Sequence, residues 1–213
     1  MTLRQEAYQA IKNKIIYFEL KPGEKVLESQ MARLLDIGRV PVREALTMLE
    51  SEGLIIKTQG YGYLITRIKS KEIKDYFNIR TQLECLGAAM YLERATKSDK
   101  KRLRRHLEKA RVIYHQNNVR RIIESDTRFH ELMYLGTKSD VFFKTISSLA
   151  DKTIILRAAA LQTAEGKEAS LKDHLEIMQA IEQSNPAKLK DLIAEHMKYA
   201  PQYYEAIRPI ISV

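Results

Sequence analysis

The sequence predicts a mainly α protein in two parts: a small helix-and-hairpin unit at the N-terminus, then an all-helical bundle of about six helices. Three observations predict it. Gly and Pro are scarce, 8 and 5 in 213 residues, too few for the turns of an all-β chain. Apolar residues recur at three- and four-residue spacing over most of the length. Turn signals are frequent before about residue 68 and sparse after it.

The elements follow in order. Leu3, Ala7, Ile11, Ile15 and Phe18 mark an amphipathic first helix, stopped by Lys21-Pro22-Gly23-Glu24. Glu28 to Leu35 is a short helix with Met31, Leu34 and Leu35 inward, and Asp36-Ile37-Gly38 is a tight turn. A third helix runs from about Arg39 to Glu52 with Val42, Ala45, Leu46 and Leu49 on one face, and Gly53 caps it because glycine accepts the left-handed conformation. Leu54 to Lys57 and Tyr63 to Thr66 are β-capable and flank Thr58-Gln59-Gly60-Tyr61-Gly62, a hairpin turn. This order is a winged helix-turn-helix. On its third helix Arg39, Arg43 and Thr47 are spaced by four and share the face opposite the apolar one, which suits a DNA major groove, where arginine pairs with guanine or phosphate.

Beyond it the helices lengthen: Ser70 to about Thr96, Ser98 to about Asn117, Val119 to Leu135, Ser139 to about Gly166, Ala169 to Gln183, and Asn185-Pro186 to about Ile207. The expected organisation is a DNA-binding domain at 1–67, a linker at 68–71 and a helical metal- and effector-binding domain at 72–213.

Charge and composition bound the function. Lys and Arg number 36 against 27 Asp and Glu, a net +9 that suggests a polyanionic partner without locating it. The densest basic stretch, Lys97 to Arg111, holds eight Lys/Arg and two acids and reads as a solvated helix face. The single cysteine, Cys85, excludes a disulfide framework and reads as a packing residue. The longest apolar run, Leu86 to Leu92, falls far short of the roughly 18 residues of a membrane helix, and Met1 to Glu6 opens no apolar signal segment. A cytoplasmic protein with no membrane partner is expected.

Of the five histidines, His106 and His115 lie in charged surroundings and read as solvated. Asp126 and His130 are four apart and project from one helix face. His174 shares a face with Met178 and Ile181, and His196 with Leu192 and Tyr199, so both point inward. Each imidazole by itself reads as a satisfied core histidine. Three of them with a carboxylate, from three helices of a bundle, can converge on a divalent transition metal, with zinc, nickel and manganese all compatible. Arg80 on an apolar helix reads as the intrahelical partner of Glu84.

The stretch Arg39-Val40-Pro41-Val42-Arg43-Glu44-Ala45-Leu46, followed by Leu49-Glu50 and Glu52-Gly53-Leu54, resembles the GntR family of bacterial transcription regulators. Two positions depart from the family pattern. Gly38 stands where a small hydroxyl residue is usual, and Tyr61 precedes Gly62 of the wing where an arginine is usual. The remainder resembles the FCD ligand-binding domain of the FadR subfamily, through Arg80-x-x-Leu83-Glu84 with Ala88-Ala89, Asp126-x-x-Phe129-His130, His174 and His196. Six helices in place of seven suggest the VanR-like branch.

The resemblance implies DNA contacts from the recognition helix and from the wing at Gly62. It implies metal ligands at Asp126, His130, His174 and His196, and it makes Arg80 the residue that holds a small organic acid, with Arg157 the next candidate. The function expected is a ligand-responsive regulator, a repressor as is commoner in that family, binding a palindromic double-stranded DNA operator as a homodimer. One alternative is a metal-dependent hydrolase with a targeting module, although no His-Glu-x-x-His motif and no Gly-rich phosphate loop occurs. The other is a regulator whose metal is purely structural.

Overall fold

The computed structural model describes residues 1–60, 62–67 and 70–211, with side chains described outside 70–73, 150–153 and 199–211. Residues Met1–Lys69 and Ser70–Ala206 form two compact units.

The first unit begins with α1 (Leu3–Ile16), whose start is closed by a capping box between Thr2 and Gln5. Then come β1 (Lys25–Val26), α2 (Glu28–Leu35), α3 (Arg39–Ser51), β2 (Ile55–Lys57) and β3 (Tyr63–Ile65). Ala7, Ile11 and Ile15 of α1 are buried, as are Val42, Ala45, Leu46 and Leu49 of α3, and the two helices pack on each other. Tyr8 Oη donates to Glu52 Oε1 at 2.6 Å and Lys12 Nζ to Glu52 Oε2 at 3.1 Å, tying α1 to the end of α3. Gly53, with φ +71°, follows that end in the left-handed region, as expected.

The hairpin is present, and it belongs to a larger sheet. Among the described residues the strands run in the order β1-β3-β2, all antiparallel, with Val26 opposite Tyr63 and Lys57 opposite Tyr63 on its other side. β1 was not expected, because two residues after a Pro-Gly turn carry no period of their own. Gly62 has φ +114°, and a Cβ there would lie 2.8 Å from the Val26 carbonyl oxygen. The close approach of β1 to the wing therefore requires glycine. Tyr61 lies outside the described residues.

The second unit runs α4 (Ser70–Arg94), α5 (Lys97–His115), α6 (Val119–Gly136), α7 (Asp140–Ser148), α8 (Ala150–Ala160), α9 (Ala164–Glu182) and α10 (Pro186–Ile211). These are seven helices among the described residues, not six. The expected fourth long helix is divided at Leu149, whose N–H turns back to Ile146 O and Ser147 O. No Gly or Pro marks that break, so the apolar period reads straight through it. The helix count therefore gives the VanR-like branch no support. Ser70 and Lys71 already belong to α4, so the linker expected at 68–71 is cut short, and 68 and 69 lie outside the described residues. α9 starts five residues earlier than expected, capped by the Thr163 hydroxyl, which accepts from the Gly166 N–H at 3.0 Å.

The bundle core joins α4, α5, α6, α9 and α10 through Tyr91, Leu103, Leu107, Phe129, Ile177 and Leu189, with Cys85 half-buried against it. A capping box between Thr96 and Asp99 starts α5, and Lys138 reaches Asp99 Oδ2 at 2.7 Å from the turn after α6. Burial opposes ionisation of Asp99, but Lys138 and Thr96 outweigh it and lower its carboxyl to about 2.

Candidate functional site

α6 carries Asp126 and His130 on its buried face because the four-residue step keeps them on one side of the helix. α9 brings His174 to them and α10 brings His196. The side-chain nitrogens of His130, His174 and His196 lie within 4.8 Å of one another. Asp126 Oδ1 is 3.7 Å from His174 Nε2 and accepts from Ser170 Oγ at 3.0 Å, and Ser170 Oγ lies 3.1 Å from Tyr114 Oη. Phe129 stacks on the His174 ring with centroids 3.7 Å apart. The side chain of Tyr199, expected to share the face of His196, lies outside the described residues.

Two carboxylates lie beside these rings: Glu84, read from the sequence only as the partner of Arg80, and Asp173, which the sequence reading missed. His130 Nδ1 is 3.5 Å from Glu84 Oε1, and His196 Nδ1 is 3.1 Å from Asp173 Oδ2. A carboxylate only accepts, so such a contact favours a proton on Nδ1 and leaves Nε2 as the nitrogen able to bind a metal. The Nε2 atoms of His130 and His196 face each other at 3.5 Å. His174 Nε2 and Asp126 Oδ2 are buried with no hydrogen-bond partner. Three imidazoles gathered beside a carboxylate, with His174 Nε2 and Asp126 Oδ2 buried and lacking a hydrogen bond, make a donor set that fits a divalent transition metal. Burial, helped by Arg157, lowers His130 to about 4, and burial with the neighbouring imidazoles holds His174 well below its usual value. Neutral imidazole, the form a metal needs, is thus the resting state of both.

Arg80 makes the intrahelical pair. Its Nε and Nη2 donate to Glu84 Oε1 at 3.0 and 2.8 Å, and Tyr134 Oη also donates to that oxygen. Both side chains of the pair are almost fully buried. Although burial opposes it, the Arg80 guanidinium holds the Glu84 carboxyl well below the usual carboxylate range. Only Nη1 of Arg80 is left without a partner. Arg157 of α8 has more to offer: its Nε and Nη1 are both buried without a hydrogen bond, and Nη1 lies 3.4 Å from Asp126 Oδ2. Arg80 and Arg157 line one cavity with Asp126, Ser170, Asp173 and His196, and Phe77 and Met197 supply its apolar wall. His106, expected to be solvated, is half-buried with Nε2 2.9 Å from Ser125 O, and burial lowers its pKa; His115 is exposed as expected.

In the first unit Arg39, Arg43 and Thr47 are exposed on one side of α3. Gly38 gives α3 no side-chain cap. Arg43 Nε donates to both oxygens of Glu28, at 3.1 and 2.9 Å. The Thr47 hydroxyl donates to its own helix, to Arg43 O at 3.0 Å. A groove between α3 and the wing is lined by Arg39, Arg43, Lys57, Gly60, Gly62 and Glu28.

A helix-turn-helix with a wing, followed by a helical bundle that encloses a polar cavity, is the build of a DNA-binding transcription regulator. The gntR family of bacterial regulatory proteins matches residues 3–65, and the FCD domain family matches residues 75–199. The chain belongs to the GntR family and carries an FCD domain. It is similar to the HTH-type transcriptional regulator YdhC of Bacillus subtilis, 25% identical over 90% of this chain and 86% of that protein. It is 22% identical to the HTH-type transcriptional repressor RspR of Escherichia coli over 97% of this chain and 90% of that one. Its fold superposes on the solved structure of Escherichia coli McbR/YncC with a TM-score of 0.82 at 20% identity, covering 97% and 99% of the two chains. These proteins are transcription regulators, not enzymes, and the hydrolase alternative falls with them. No described helix is long and apolar enough to cross a membrane.

Proposed function

We propose that the chain is a cytoplasmic repressor that binds a palindromic operator as a homodimer and responds to a small organic acid beside a bound divalent metal. Residues 1–67 would supply the DNA contacts, with Arg39 at the uncapped start of α3, Arg43 and Thr47 along it, and Gly62 shaping the wing. The N–H groups left open at an uncapped helix start suit a phosphate. The repressor reading draws on the description of RspR. The dimer reading draws on α4, where Ile79 and Leu86, seven residues apart, are 55% and 52% exposed, and on Val141 of α7.

Asp126, His130, His174 and His196 would hold zinc, nickel or manganese. The ion would supply a positive charge for one oxygen of the acid. The observation that carries the effector reading is Arg157, which lines the cavity beside Asp126 and His196 and whose Nε and Nη1 lack a hydrogen bond. Arg157 takes the leading anchoring role first given to Arg80: both are paired with a carboxylate, but Arg157 keeps two nitrogens without a hydrogen bond and Arg80, held by Glu84, only Nη1. Ligand preference for one arrangement of the DNA-binding domains would then change operator occupancy.

Calorimetry of small mono- and dicarboxylates into metal-loaded protein, wild type and Arg157→Ala, tests this reading. Binding by wild type that weakens at least tenfold in the variant, with metal content unchanged, is expected. Metal retained with no carboxylate bound by wild type would favour the purely structural metal.

A further inference from the structure

Arg39, Arg43 and Lys57 line the groove between α3 and the wing, yet an acidic side chain lines it with them. Glu28 is the first residue of α2, half-buried in the groove between α3 and the wing, and its carboxylate grips Arg43 through Nε alone. Both terminal nitrogens of Arg43 are left without a partner among the described residues, and the side chain is 60% exposed. End-on recognition of a guanine uses those two terminal N–H groups. A free arginine has many rotamers to lose on binding, and a carboxylate holding Nε removes much of that freedom beforehand.

Glu28 also carries negative charge toward the surface that would meet phosphates. That charge opposes binding to any duplex, whatever its sequence. The two effects act in the same direction on selectivity: one strengthens the right contact, the other weakens the indifferent one. We infer that Glu28 is a specificity-determining residue that positions Arg43 for base reading and suppresses sequence-independent binding. The inference rests on Arg43 reading a base.

An ordinary role is available to Glu28: an acid in the first turn of a helix is favoured by the helix dipole. Glu28→Asp separates the two, because aspartate keeps the charge at the helix start but is one methylene too short for the same grip on Arg43. The experiment uses the full chain, a pool of randomised DNA duplexes, and wild type, Arg43→Ala, Glu28→Ala and Glu28→Asp. Bound duplexes are sequenced to give the base preference at each position, and affinity for the unselected pool and the melting temperature are measured alongside.

Arg43→Ala should flatten the preference at particular base pairs. Glu28→Ala and Glu28→Asp should weaken discrimination at the same pairs by about tenfold. Glu28→Ala should bind the unselected pool at least as tightly as wild type, and Glu28→Asp should melt with wild type. Wild-type discrimination in both Glu28 variants, at pairs that Arg43→Ala flattens, would overturn the inference and leave the role of Arg43 standing. So would equal loss of selected and unselected binding in Glu28→Ala. A preference that Arg43→Ala leaves intact would overturn both.

Discussion

Two Arg–Glu pairs stand in the two units, alike in chemistry and opposite in setting. Arg43 and Glu28 meet across α3 and α2 with side chains 60% and 28% exposed. Arg80 and Glu84 meet along α4 at 2% and 4%. In the first pair water shares the charges, so the pair adds little to the stability of the fold. In the second, each charge depends on the other, and Tyr134 and His130 are bound up with them. The first unit keeps its charges outside, available to a partner. The second buries them and leaves particular atoms without a hydrogen bond beside a cavity.

The sharpest way to break this contrast is to remove the arginine from each pair. Arg80→Ala strands Glu84 in the core and should cost about 3–5 kcal/mol of stability, whereas Arg43→Ala should cost under about 0.5 kcal/mol, both measured by denaturant unfolding. Equal losses would mean that burial does not set the difference. Next in size is the metal. His174→Ala should abolish stoichiometric zinc, nickel or manganese by elemental analysis. It should also abolish a metal-dependent gain of about 3 kcal/mol, the gain expected at a hundredfold excess over Kd. Protein prepared without chelator that holds no metal and takes up none would remove the four-ligand site.

On the DNA side, Arg43→Ala should weaken operator binding by about 1–3 kcal/mol in gel-shift titrations at fixed salt, while Arg105→Ala in the basic run of α5 changes little. Comparable losses at both would move the recognition surface to the second unit. The smallest effect concerns Asp99. Its carboxyl is lowered from 3.8 to about 2, so its stabilising contribution is fully present above pH 4 and is lost as pH falls through 2. Asp99→Asn should cost about 1 kcal/mol at neutral pH, with the gap to wild type closing on acidification in thermal melts.

The same contrast explains what could be read from the sequence. The proposed DNA-binding surface comes from one helix and its neighbours, so Arg39, Arg43 and Thr47 share a face by arithmetic on a single segment, and the bounds of α2 follow from the same pattern. The buried site is assembled from five helices. The inward faces of His130, His174 and His196 follow from each helix's own period, but Glu84 against His130 depends on how α4 packs on α6. Asp173 adjoins His174 in sequence yet pairs with His196 on another helix. Tyr134 was within reach: it stands four residues beyond His130, as His130 stands four beyond Asp126. The division at Leu149 and strand β1 had no local signal, since the first lacks a breaker residue and the second is two residues long.

That repeated step of four along α6 has a consequence for how the site can change. Asp126 answers to Arg157 and Ser170, His130 to Glu84 and His196, and Tyr134 to Glu84. All three depend on a single angular phase. Inserting one residue between Ile123 and Asp126 would turn everything on one side of it by about 100° relative to the other, and either the ladder or the helix start would lose its partners. The cavity can therefore be retuned from α8 or α9, one side chain at a time, while α6 must keep its length as a whole.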